Sequence, residues 1–161
     1  MYPIDNQYNI PLFCGLHNFF YNALRVFINN SLLTSIDVSK NTGLVLLACD
    51  YNQLTSLDVS KNTKLTTLFC NHNQLTHLDI SKNKNLLSLS CDDNQLIELN
   101  IKNGKDNSIS PQPEETNFLM FADNPNLLHI CCDEIEKEFV INTLLSENYN
   151  AGNPVVTTDC D

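Results

Sequence analysis

Glycine is scarce, with four in 161 residues. A loop that cradles phosphate places several glycines within a few positions, so glycine-rich nucleotide sites are not expected. Lysine and arginine together number nine against 19 aspartates and glutamates, giving a formal charge of −10. Nucleic-acid binding needs a basic footprint, and this balance argues against it and against anionic membrane surfaces. The deficit is local. Residues 1–105 hold eight acids and eight bases, whereas residues 106–161 hold eleven acids and only Lys137. That acidic end reads as solubilising; the sharper alternatives are a docking edge for a basic partner or a weak calcium site. No apolar run reaches membrane-spanning length. The N-terminus lacks the basic start and continuous apolar stretch of a signal peptide. There is no His-Glu-x-x-His and no paired acid and base, so no catalytic centre, metal site or cofactor is expected.

What is present is a 21-residue repeat. Leu44–Leu54 returns as Leu65–Leu75 and Leu86–Leu96. Its second half, Leu57-Asp58-Val59-Ser60-Lys61-Asn62, returns as Leu78 to Asn83 and fades at Leu99 to Asn103. Self-similarity at this period marks a stacked solenoid. Leu44, Leu47, Cys49, Leu54, Leu57 and Val59 are the apolar positions of one coil, and alternation near Cys49 predicts a strand with one buried face. Asn52, Asn73 and Asn94 fall where the chain leaves that strand. A side-chain amide there can satisfy neighbouring backbone groups and tie each coil to the next. Asp-Val-Ser-Lys-Asn supplies the opposite turn. Cys49, Cys70 and Cys91 share one position and are expected as small core residues.

The repeat extends in both directions. Val26, Ile28, Leu33, Ile36 and Val38 fit one earlier coil, with Ser31 in place of the asparagine. After a break, Leu127, Ile130 and Cys132 keep the spacing of Leu96, Leu99 and Ile101, shifted by 31 residues. Met120 and Ala122 then take the inward strand positions. The chain reads as one domain. Residues 1–22 form an aromatic N-terminal cap, 23–132 about five coils with a polar loop inserted at 103–116, and 133–161 a C-terminal cap. The cap includes a helix over 133–146 with Ile135, Phe139, Val140 and Leu144 on one side. Val155 and Val156 pack down in an extended tail.

These units resemble the leucine-rich-repeat family, in the pattern Leu-x-x-Leu-x-Leu-x-x-Asn-x-Leu with cysteine in the third leucine position. Leu-Asp-Val-Ser-x-Asn is similar to internalin-like repeats of bacterial surface and secreted proteins. The resemblance implies an α/β-type repeat solenoid. Its shape is a right-handed curved coil with a parallel concave β-sheet, a mostly irregular convex side and a C-terminal helical cap. It also implies a recognition role at a cell surface or outside the cell, with a protein or glycan partner and no catalysis. Its last-coil cysteine bridging to one near the C-terminus implies a Cys131–Cys160 bond here, Cys132 being in the inward phase. The alternatives are a structural spacer or an intracellular scaffold in a larger assembly, and the missing export signal keeps a cytoplasmic location open.

On that reading the outward strand positions are the candidate partner-binding site. One column is Phe27, Ala48, Phe69, Ser90 and Phe121; beside it runs Arg25, Leu46, Thr67, Ser88 and Leu119. Asn29, Asp50, Asn71, Asp92 and Asp123 follow on the other side, then Asn30, Tyr51, His72, Asp93 and Asn124. Asp50, Asp92, Asp93 and Asp123 are the residues a calcium site would use. His72, His77 and His129 read as lying at different coil positions. Cys14 and His17 are near in sequence within the cap, where packing explains them better than nucleophilic chemistry.

Overall fold

The computed structural model describes residues 24–104, 118–145 and 152–160. The N-terminal cap expected over 1–22, with Cys14 and His17, lies outside them. So does the inserted loop beyond Gly104.

Two parallel sheets of three-residue strands face one core. The first contains β1 (Arg25–Phe27), β2 (Leu46–Ala48), β3 (Thr67–Phe69), β5 (Ser88–Ser90) and β7 (Phe118–Met120), in that order. The second contains β4 (His77–Asp79), β6 (Glu98–Asn100), β8 (His129–Cys131) and β9 (Val155–Thr157). The first sheet follows from alternation: Val26, Leu47, Leu68, Leu89 and Leu119 pair in register and are all buried. The second corrects the expectation of a mostly irregular opposite side. Leu78, Leu99 and Ile130 point inward there, and the same alternation in Leu78-Asp79-Ile80 is visible in sequence. Each ladder is simply too short for one unit to reveal it.

Asparagines close the turns between sheets. Asn73 donates through Nδ2 to the carbonyls of Cys49 (3.0 Å), Cys70 (3.1 Å) and Asn71 (3.0 Å), and its Oδ1 accepts from Leu54 N–H (3.0 Å). Asn52 and Asn94 repeat the arrangement. At the other bend, Asn62 and Asn83 are fully buried and donate to carbonyls of the preceding coil. Asp37, Asp58 and Asp79 each accept the N–H of the serine two residues on. Buried backbone groups must be paired, and a side-chain ladder does this without regular structure.

The fifth coil departs from the 31-residue shift. Ser88, Leu89 and Ser90 pair with Phe118, Leu119 and Met120, a shift of 30. Asn124 Nδ2 bonds the carbonyls of Cys91, Phe121 and Ala122, so Asn124 is the ladder asparagine. The shift becomes 31 only beyond it, where Glu98, Leu99 and Asn100 pair with His129, Ile130 and Cys131. A one-residue slip exchanges the two faces of a strand. Leu119 and Phe121 are therefore buried, Phe121 completely, while Met120 is 46 % exposed.

The C-terminal segment folds back. Helix α1 runs Lys137–Leu144, shorter than the 133–146 expected. Asp133 instead accepts from Gly104 N–H at 2.6 Å, and Glu136 returns its Oε2 to Asp133 N–H. Those acids serve the turn before the helix, and Ile135 is left exposed. Val140 enters the core with Phe139 and Leu144 packed against it. β9 pairs with β8, with Val156 half-buried but Val155 exposed, contrary to the expectation that both pack down. Gly152 lies where an added Cβ would meet the Leu127 carbonyl oxygen at 2.6 Å. Cys131 and Cys160 are joined in a disulfide, with Cα atoms 5.9 Å apart.

Candidate functional site

The outward face of the first sheet carries most of the candidate residues. Phe27, Ala48, Phe69, Ser90 and Met120 form one column in register. Phe27 is 64 % exposed, and Phe69 is half-buried. Ala48 and Ser90 are buried, each small side chain lying between larger ones on adjacent strands. Arg25, Leu46, Thr67 and Ser88 form the neighbouring column, from open Arg25 through half-buried Leu46 and Thr67 to buried Ser88. Phe121 is not part of this face: it occupies the core position that follows Cys91, and Met120 takes its place in the column.

The next column is a polar ladder. Asn29 Oδ1 accepts from Asp50 N–H, Asp50 Oδ1 from Asn71 N–H, Asn71 Oδ1 from Asp92 N–H, and Asp92 Oδ1 from Ala122 N–H, at 2.6–2.9 Å. Asp50 and Asp92 are thus structural and largely enclosed rather than free contacts. Burial pushes both carboxyls above the ordinary carboxylate range, opposed by the hydrogen bonds they accept. An amide between them keeps the two like charges two coils apart. One oxygen of each accepts a backbone N–H, and Asp92 Oδ2 accepts from Ser90 Oγ at 3.2 Å; among the described residues no group of three or more His, Cys, Asp or Glu side chains converges to hold a metal ion.

Beyond the ladder lies the edge column Asn30, Tyr51, His72, Asp93 and Asp123, every member in the left-handed region with φ between 51° and 56°. Asp123, rather than Asn124, completes it. Asparagine, aspartate and histidine are among the residues that accept this conformation, whereas a tyrosine there is unusual. Tyr51 is 53 % exposed. Its ring stacks on His72 with centroids 4.1 Å apart, and His72 Nδ1 lies 3.3 Å from Asp93 Oδ2. The turn geometry thus aims three chemically different side chains along one rim.

Behind this face, the Cys49, Cys70 and Cys91 thiols are fully buried. Each donates to a carbonyl of the next coil, that of Phe69, Ser90 or Met120, at 3.4–3.5 Å. Burial pushes Cys49 up to about 12, and raises Cys70 and Cys91 strongly. They act as core residues, not nucleophiles. On the second sheet, His77, Glu98 and His129 stand in one exposed column. This corrects the reading that His77 and His129 occupy different coil positions; His72 alone lies on the other face.

No family model matches the chain, and no curated protein does. Among solved structures, the functional domain of InlJ from Listeria monocytogenes, which includes a cysteine ladder, is similar to it. The TM-score is 0.51 and the identity 26 % over 85 % of this chain. The chain spans about a third (36 %) of the length of that InlJ chain. Parallel sheets with a single helix among the described residues, together with this likeness, give a leucine-rich-repeat-like solenoid of internalin type.

Proposed function

We propose that the outer face of the first sheet is a recognition surface for another protein, used at a cell surface or outside the cell. One observation carries the reading: Phe27, Tyr51 and Met120, all large and about half or more exposed, are spread along this one sheet and its rim from β1 to β7, with half-buried Phe69 between them. Exposed aromatics framed by polar groups are the usual anchors of an interface. Strands about 4.8 Å apart spread the five-stranded face over roughly 20 Å, enough for a partner's loop or helix. In this reading the coil is right-handed, as parallel crossovers are, the first sheet lines the concave side, and α1 with β9 closes the last coil.

Two features support the location. The Cys131–Cys160 bond belongs to oxidising surroundings, and the likeness to InlJ is to a protein of the internalin group.

The test is a binding screen of the folded protein against arrayed extracellular proteins, run beside the triple variant Phe27→Ser, Tyr51→Asn, Phe69→Ser. Recognition by this face requires hits that the triple variant loses while a Glu98→Gln control keeps them. Hits retained by the triple variant would remove the assignment.

A further inference from the structure

A second charged feature lies at the Asp-x-Ser-Lys-Asn bend, away from the aromatic face. Lys40, Lys61 and Lys82 recur at one coil position, 21 residues apart. Lys64 and Lys84 follow in the adjoining turns. Lys61, Lys64, Lys82 and Lys84 line an open groove of about 770 Å³ together with Thr63 and Asn85. All four lysines are exposed, and none makes an ion pair with a described residue. The nearest acids of the repeat, Asp58 and Asp79, each commit an oxygen to the serine N–H of their own turn at 2.8–2.9 Å. Asn85 Nδ2 donates to the Thr63 carbonyl at 2.8 Å, bridging the two coils across the groove floor.

Like charges repel; Lys61 is near enough to Asp58 to be attracted to it, but none of the four ammonium groups is in ion-pair contact with a described acid, so a bound anion would ease their mutual repulsion. The feature stands out further because the whole chain is strongly acidic. Cationic rows one coil apart match an extended anionic chain better than a single ion. No aromatic side chain lines the groove, which leaves nothing for nucleic-acid bases to stack on. What lies between the lysines is hydroxyl and amide, the partners of sugar hydroxyls.

We propose that this groove binds an anionic polysaccharide, carboxylated or sulfated, with Lys61, Lys64, Lys82 and Lys84 pairing its charges and Thr63 and Asn85 meeting its hydroxyls. The site is separate from the aromatic face and stands or falls independently of it.

The experiment is calorimetric titration of the folded protein with a sulfated heparin-derived oligosaccharide, a neutral dextran of equal length, and an oligo-dT of equal charge. The sulfated sugar binds, the dextran does not, and affinity falls by about tenfold or more between about 50 and 200 mM salt. Lys61→Glu/Lys82→Glu weakens binding by about tenfold or more, and the milder Lys61→Gln/Lys82→Gln by a smaller factor in the same direction. Phe27→Ala/Phe69→Ala leaves it unchanged. Absence of binding at low salt would overturn the proposal, as would unchanged affinity in both folded lysine variants. Oligo-dT binding as tight as the sulfated sugar would overturn the ligand class.

Discussion

The rings of Tyr51 and His72 stack at a centroid distance of 4.1 Å and an interplanar angle of 21°. Both residues are held at positive φ by the same turn in successive coils. A single left-handed non-glycine residue costs roughly 1–2 kcal/mol, and asparagine at this column, as in Asn30, lowers that cost. Tyr51→Asn is therefore expected to leave the urea midpoint unchanged or slightly higher while weakening partner binding. A clear loss of stability would mean that Tyr51 is there for packing.

The asparagine ladder makes a different prediction. Asn73→Ala strands the Leu54 N–H in the interior and takes one of two donors from the carbonyls of Cys49, Cys70 and Asn71, which keep Asn52 Nδ2, Asn94 Nδ2 and Tyr51 N–H. A buried unsatisfied group costs about 1–3 kcal/mol, so a loss of about 1–3 kcal/mol is expected in urea unfolding. Asn126→Ala, at an exposed turn, is expected to stay within about 0.5 kcal/mol.

Asp50 and Asp92 set a pH dependence. Burial raises both carboxyl pKa values in the folded state. The folded form then holds these protons more tightly than the unfolded chain, so their contribution to stability falls as pH rises from the unfolded carboxylate value through the folded one. Asp50→Asn keeps an oxygen for Asn71 N–H and removes the charge. Thermal midpoints are expected to rise at pH 7 and to be unchanged at pH 3. A gain of equal size at both pH values would contradict the cause given.

The disulfide closes 29 residues of chain. On the loop-entropy estimate, Cys160→Ser destabilises by about 3.5 kcal/mol. Hydrogen exchange should show the loosening in β9 and α1 first, with β2 and β3 unaffected. In the native protein, Cys49, Cys70 and Cys91 are expected to resist alkylation until the chain unfolds, because they are buried and their thiols are held protonated.

Much of this fold is legible in the sequence because a 21-residue period states each requirement three times. Leu47, Leu68 and Leu89 declare a buried strand position, and Asn52, Asn73 and Asn94 a turn that must satisfy its own backbone. The register of β7 was not legible by the same route. The leucines of the last coil align at 31 residues, but the strand before them aligns at 30, and the difference is absorbed at the Pro125–Asn126 turn after Asn124. The asparagine carried the better signal: placing Asn124 on Asn94 predicts buried Phe121 and exposed Met120. The structural role of Asp50 and Asp92 was also hidden, since nothing in one sequence distinguishes an aspartate that accepts a backbone N–H from one that faces solvent. The lysine groove shows in sequence as Lys40, Lys61 and Lys82 at one repeat position with Lys64 and Lys84 nearby, and only the stacking of the coils sets four of them around one groove.

The most direct test of the recognition face is site-specific photo-crosslinking. A benzophenone amino acid is placed at Phe69 on the first sheet or at Glu98 on the second, and the folded protein is exposed to a surface fraction carrying its partner. The account predicts a discrete protein adduct from position 69, absent from position 98 and competed by unlabelled protein. Equal adducts from both positions, or an adduct from position 98 alone, would contradict it.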